Sequence, residues 1–227
     1  MNGEVNEILS LSTTAAPADT PFRWNADAVT DLLLRPERFF AHLLRTAGST
    51  FPLLIIWING MAGVVDRIDS QLVMGRILPE APMLQGWVMF WGTVLIGGIM
   101  TGLLKWLVGG WWYRMRLGFS GAHDVDKRHA RLVYFHAELV WAIPSLVWLA
   151  LVTPLYPDYH AAWMEAPLGL WVIAIYPWSM WVSYRGVRHC FDVGAGRARL
   201  WFLILPLVMF LAAVAFIWAF AWFGTVG

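Results

Sequence analysis

The sequence predicts an all-α polytopic membrane protein, a bundle of five transmembrane helices with an N-terminal amphipathic interfacial helix. Three observations predict it. Only 14% of the 227 residues are charged and 59% are hydrophobic, whereas a soluble domain carries about 25% charged residues. Five windows without Asp, Glu, Lys or Arg recur along the chain, each about 19 residues or longer, which is the length that about 30 Å of hydrocarbon demands. The basic residues gather between alternate windows.

Residues 1–25 read as a polar, mobile tail rich in Ser, Thr, Ala and Pro. They hold no basic stretch followed by an apolar one, so a cleavable signal peptide is not expected. The single cysteine, Cys190, excludes an intramolecular disulfide and a cysteine-built metal cluster.

The interfacial helix is expected over residues 28–46. Arg38, His42 and Arg45 fall on one face, and Phe40, Leu43, Leu44 and Ala47 on the other. A basic face backed by a Phe/Leu face describes a helix lying in the membrane surface on anionic lipid. Arg35, Arg38, Phe39, Phe40 and Arg45 are therefore candidate lipid-contact residues.

The charge-free windows run from Thr46 to Val65, Ala81 to Leu104, Leu139 to Pro157, Ala166 to Tyr184 and Leu200 to Gly227. They place spans at about 47–66, 83–106, 133–155, 166–185 and 200–223. Pro144 and Pro177 lie well inside their spans and are expected to kink them. Gly98 and Gly102 form a small-xxx-small pair, which serves either packing within the chain or homodimerisation.

Orientation follows from the arginines. Arg23, Arg35, Arg38 and Arg45 precede the first span. Lys105, Arg114, Arg116, Lys127, Arg128 and Arg131 separate the second from the third, and Arg185, Arg188, Arg197 and Arg199 separate the fourth from the fifth. The other two loops are acidic or nearly neutral. The positive-inside rule then puts the N-terminus in the cytoplasm and the C-terminus outside. The 16 tryptophans, mostly toward segment ends, are expected to anchor at headgroup level. Trp111, Trp112, Arg114 and Arg116 after the second span form a further candidate lipid contact.

Few polar groups fall within the apolar runs. Glu138 stands near the start of the third span, and Arg131, seven residues earlier on the same face, is its expected partner. His136 and Asn59 are the other intramembrane polar residues, Asn59 as a packing hydrogen bond. His123, Asp124, Asp126 and His129 match no metal-ligand spacing and read as a solvated loop. A haem between His136 and His189 is conceivable, but neither lies near mid-membrane. No metal and no cofactor is expected. No nucleophile–base arrangement or phosphate-cradling glycine loop is present, so enzymatic activity is not expected. A net charge of +1 gives no field that points to nucleic acid.

Three stretches carry a resemblance to a known family: LLLRPERFFAHL, YFHAELVWAIPSLVWL and WSMWVSYRGVRHCFDVGAGRARLWFLILPLVMFL. Over roughly residues 28–223 the chain resembles the Yip1-domain family of five-span membrane proteins. The resemblance implies a bacterial inner-membrane homologue with no catalytic residues to carry over. Eukaryotic members are implicated in vesicle traffic and small-GTPase binding. Their cytosolic Asp-Leu-Tyr-Gly-Pro signature is absent here, so a small-GTPase partner is not expected.

The expected function is non-enzymatic contact with lipid or protein at the cytoplasmic leaflet, as a scaffold, assembly factor or accessory subunit. The expected partners are membrane lipids and another membrane protein or a second copy. The alternative is a small transporter or channel using Glu138 and His136.

Overall fold

The computed structural model describes residues 24–46, 53–165 and 169–224. The tail expected over residues 1–25 lies almost wholly outside them. The described residues are helical, with no strand among them.

Two short helices come first, α1 (Ala26–Leu34) and α2 (Pro36–Thr46). Asn25 caps α1, its side-chain oxygen accepting from the Ala28 amide. α1 stops at Arg35 because the residue before a proline is pushed out of the α region, while Pro36 itself suits a first helical turn. The expected single interfacial helix is thus two helices broken at this proline.

α3 (Leu53–Val73) ends at Gly75, whose φ of 63° belongs to the left-handed region. There the Gly75 amide donates to Leu72 and the Arg76 amide to Gln71, the paired closure of a Schellman turn. α4 (Trp87–Phe119) is one 33-residue helix with a π-helical turn at Lys105–Gly109. The Trp111–Arg116 stretch is therefore a continuation of the second span and not a separate surface piece. Gly121, at φ 95°, closes α4 with the same turn chemistry.

α5 (Lys127–Val152) begins on Asp126, which caps the Arg128 amide, and runs through Pro144. α6 (Tyr159–Glu165) is short, and α7 (Gly169–Cys190) runs through Pro177. α8 starts as Ala195–Arg199, passes through a π turn at Leu200–Ile204 and continues as Leu205–Gly224.

Trp87–Phe119, Lys127–Val152 and Ala195–Phe216 are long and apolar enough to cross a membrane. The protein is an integral membrane protein. α3 and α7 are of spanning length, at 21 and 22 residues, but more polar; α3 carries Asp66, Arg67 and Asp69.

The tightest packing joins α3 to α4. A Cβ on Gly60 would sit 1.9 Å from the Gly98 carbonyl oxygen, and one on Gly102 would sit 2.5 Å from the Ile56 carbonyl oxygen. Only glycine lets the two backbones approach so closely. The Gly98/Gly102 pair is thus occupied within the chain. Trp57 adds an indole N–H to the Leu95 carbonyl at 2.9 Å.

The core falls into two main clusters. One, at the arginine-rich end, joins Leu32, Phe39, Phe40 and Leu43 of the first two helices to α4, α5, α7 and α8. The other, at the opposite end, gathers Ile68, Leu84, Phe90, Leu149 and Tyr159. Here the Tyr159 ring stacks on Phe90 at 4.0 Å and its hydroxyl donates to Asp69. Burial, with the Asp69 carboxylate added, holds the Tyr159 phenol well above its ordinary value, so it stays a donor. The indoles of Trp87 and Trp91 donate to the Tyr156 carbonyl and the Thr153 hydroxyl. These tryptophans, expected as lipid anchors, tie the loop between α5 and α6 to α4.

Candidate functional site

The arginine-rich half of the bundle holds a cleft of about 140 Å³ between α4, α5, α7 and α8. Tyr113 and Arg116 line it from α4, Tyr134 and Glu138 from α5, Tyr176 and Ser183 from α7, and Phe202 and Pro206 from α8.

Glu138 sits 11 residues into α5, about 17 Å along it at 1.5 Å per residue. Its Oε2 accepts from the Lys105 ammonium at 3.1 Å and from the Trp141 indole at 3.1 Å. The ammonium also lies 5.5 Å from the centre of the Trp141 ring. Lys105 stands at the π turn of α4, and its stem lies along Gly63, where an added Cβ would touch it at 3.6 Å. A lone charge deep in an apolar bundle costs several kcal/mol on the order given by insertion scales; each of these two charges neutralises the other. The expected partner of Glu138 is corrected accordingly. Arg131 instead lies over the Trp106 ring at 5.1 Å.

Toward the arginine-rich end the Tyr113 and Ser183 hydroxyls share a 3.0 Å hydrogen bond. Arg116 donates from Nε and Nη2 to the Trp201 carbonyl, with Nε at 3.0 Å, and its guanidinium lies 4.3 Å from the centre of the Phe202 ring.

Asn59 is fully buried and donates to the Ile55 and Phe135 carbonyls at 2.9 and 3.1 Å, joining α3 to α5. His136 is buried too, its Nδ1 2.8 Å from the Leu132 carbonyl and its ring stacked 5.9 Å from Trp24 and tilted 5.6 Å from Phe39. It does not line the cleft with Glu138. His189 is exposed while His136 is sealed under aromatic rings, so the two do not face a common haem position. Among the described residues no three His, Cys, Asp or Glu side chains gather to hold a metal ion.

The first two helices pack on α7 and α5. Phe40, at 0% exposure, fills a notch at Gly186, where an added Cβ would sit 2.6 Å from its ring. Glu37 pairs with Arg185, and the Trp178 indole donates to the Leu33 carbonyl at 3.1 Å. Phe39 and Phe40 are thus turned into the protein. Arg35, Arg38 and Arg45 are exposed beside them. Trp111, at 58% exposure, Trp112, at 45%, and Arg114 also face outward, whereas Arg116 is turned inward.

The profile of the Yip1 domain matches residues 30–217. The chain belongs to the Yip1-domain family. No curated protein and no solved structure matches it. The match takes in α1 from Thr30 on, all of α2, the glycine-packed α3–α4 contact and every residue that lines the cleft of this Yip1-domain protein.

Sequence reasoning passed over Lys105, Tyr113, Tyr134 and Tyr176. Lys105 follows a charge-free window and so reads as a loop cation. The usable signal was its isolation: it is the only charged residue between Glu80 and Arg114, which fits a helix that continues past it.

Proposed function

We propose that this Yip1-domain protein spans a bacterial inner membrane five times, N-terminus in the cytoplasm and C-terminus outside, and acts by contact with anionic lipid at the cytoplasmic leaflet. In that setting it serves as a scaffold or accessory subunit of a membrane complex and carries out no chemistry of its own. α3 and α7 are the first and fourth spans, held in place by polar contacts to their neighbours: the Asn59 amide N–H to the Phe135 carbonyl, the Tyr159 hydroxyl to Asp69, and Glu37 to Arg185.

The observation that carries the reading is the division of α2. Its apolar side, Phe39, Phe40 and Leu43, is used inside the protein, while Arg35, Arg38 and Arg45 stand exposed at its rim. Trp111, Trp112 and Arg114 extend the same character along α4. Each basic residue near an anionic surface contributes about 1 kcal/mol.

The test is thermal unfolding of the full chain in detergent with added phosphatidylglycerol or phosphatidylcholine. The reading expects phosphatidylglycerol to raise the Tm more, and most of that difference to vanish in Arg35→Gln/Arg38→Gln/Arg45→Gln. Equal shifts with both lipids, or an unchanged difference in the variant, would overturn it.

A second reading, a small transporter or channel, draws support from Glu138 in the cleft wall. Proteoliposome flux that disappears in Glu138→Gln would favour it over the first.

A further inference from the structure

The Lys105 side chain runs away from the arginine-rich end. Gly102, a turn before it on α4, packs against Ile56 of α3. Yet Lys105 Cδ and Nζ lie 3.6 and 3.9 Å from the place of a Cβ on Gly63, which is about 10 Å further along α3 than Ile56. A lysine near a headgroup layer usually extends out to water; this one reaches inward to Glu138.

The charges continue from there. Asp66 shares the α3 face of Gly63, about 5 Å further on. It makes no hydrogen bond or ion pair among the described residues, and it lies within electrostatic reach of both Lys105 and Glu138. Asp69, the next turn, lies within reach of Asp66 and accepts from the Tyr159 hydroxyl. Tyr176 of α7 faces Glu138 and Asp66 from the side. Carboxylates thus follow one another from the cleft wall, where Glu138 stands, to the opposite end of the bundle, where Tyr159 packs.

Two orphaned atoms flank this line. Asn59 is on the same face of α3 as Gly63 and Asp66, and its Oδ1 is buried and accepts nothing among the described residues. Trp148 is on the α5 face of Glu138, Trp141 and Ser145, and its buried indole N–H donates to nothing among them. An unpaired buried polar group costs about 1–3 kcal/mol, and such groups are where water enters a protein interior. One acceptor and one donor beside a line of carboxylates suit water-borne proton transfer. An ionisable side chain inside a spanning segment marks an ion path or a proton relay. A metal cation would need several oxygens at once, and the Lys105 ammonium fills the place beside Glu138. A proton needs one oxygen at a time.

We propose that Glu138, Asp66 and Asp69 pass protons between the cleft and the opposite end of the bundle, past a fixed Lys105 ammonium. This deepens the transporter reading and rests on it, naming the proton as the species carried and Asp66 as a carrier beside Glu138. Each step makes one O–H bond on a carboxylate and breaks one on a water or on the preceding carboxyl group. The proton gradient drives it, and nothing is oxidised or reduced. Lys105 keeps its own protons and holds the Glu138 carboxylate in place.

Proteoliposomes holding the full chain test this. Valinomycin sets a potassium diffusion potential, and trapped pyranine reads the internal pH. The proposal expects acidification at least tenfold faster than in protein-free vesicles. The rate falls to near that background in Glu138→Gln and in Asp66→Asn, and holds in Asp192→Asn, an exposed carboxylate away from the line. Because Glu138→Gln strands Lys105, Asp66→Asn, which breaks no bond, carries the test if the first variant does not fold. Wild-type acidification in Asp66→Asn overturns the path while leaving the transporter reading, which asks only for Glu138. Background acidification by the wild type overturns the path too; sodium or chloride flux that vanishes in Glu138→Gln would then keep the transporter reading, and its absence would end both.

Discussion

Arg116 donates to the carbonyl of Trp201, 85 residues away in sequence, and the reason lies in Pro206. At the π turn of α8 the Leu205 amide bonds five residues back to Leu200. In the same register the Trp201 carbonyl would receive residue 206, and a proline has no N–H to give. The guanidinium takes that place and locks α4 to α8. Losing a hydrogen bond from a charged donor costs about 1.5–3 kcal/mol, so Arg116→Gln should lower stability by about that much. In a Pro206→Ala background residue 206 supplies its own amide and the cost should fall by half or more. Thermal unfolding of the four proteins of this cycle reads the difference, and an equal cost in both backgrounds would contradict the explanation.

Lys105 and Glu138 should behave as one unit. Removing one member of a buried ion pair costs about 3–5 kcal/mol because the other is stranded. With side chains 22% and 25% exposed, roughly 2–3 kcal/mol is expected for Lys105→Met or Glu138→Gln. The double variant should cost less than the sum, with a coupling of about 1–3 kcal/mol. Denaturation in mild detergent checks this, and strict additivity would refute the pairing.

The α3–α4 contact makes a sharper forecast. Gly60→Ala drives a methyl into the Gly98 carbonyl, an overpacking that no flexible side chain can relieve, and should cost about 3 kcal/mol. Gly92→Ala, on α4, meets open space and should be neutral or stabilising by up to about 1 kcal/mol. Melting temperatures that moved alike would show that the helices are not packed this closely.

Much of this was legible in the sequence, and the exceptions share a cause. Apolar length identified α4, α5 and α8, and the basic runs marked one end of the bundle. The Phe39/Phe40 stripe announced an amphipathic helix but not what covered it, since lipid and a neighbouring helix reward the same apolar face. Gly186, which receives Phe40, lies 146 residues later, and no local pattern links the two. Lys105 was misplaced because a charge after an apolar run looks like a loop; the π turn that carries it into the bundle leaves no mark in hydropathy. Asn59 reads as a packing residue because an amide in an apolar helix has few other uses, and it donates to the Ile55 and Phe135 carbonyls.

Docking of the first two helices should depend on Phe40. Phe40→Ala removes a fully buried ring at a cost of about 3–5 kcal/mol and should open residues 24–46 to limited proteolysis. Gly186→Ala should do the same from the other side. Proteolysis at the wild-type rate in both variants would mean that the pair is held elsewhere.

The central claim is that the arginine-rich end, with Arg38, Arg114 and Arg199, faces the cytoplasm on a five-span frame. Single cysteines in a Cys190→Ser background, at Arg38, Arg114 and Arg199 and at Met74 and Pro157, probe it directly with a membrane-impermeant thiol reagent. In inside-out vesicles the first three should label and the last two should not, and right-side-out vesicles should reverse the pattern. Labelling of position 38 together with position 74 in the same vesicles would contradict the account.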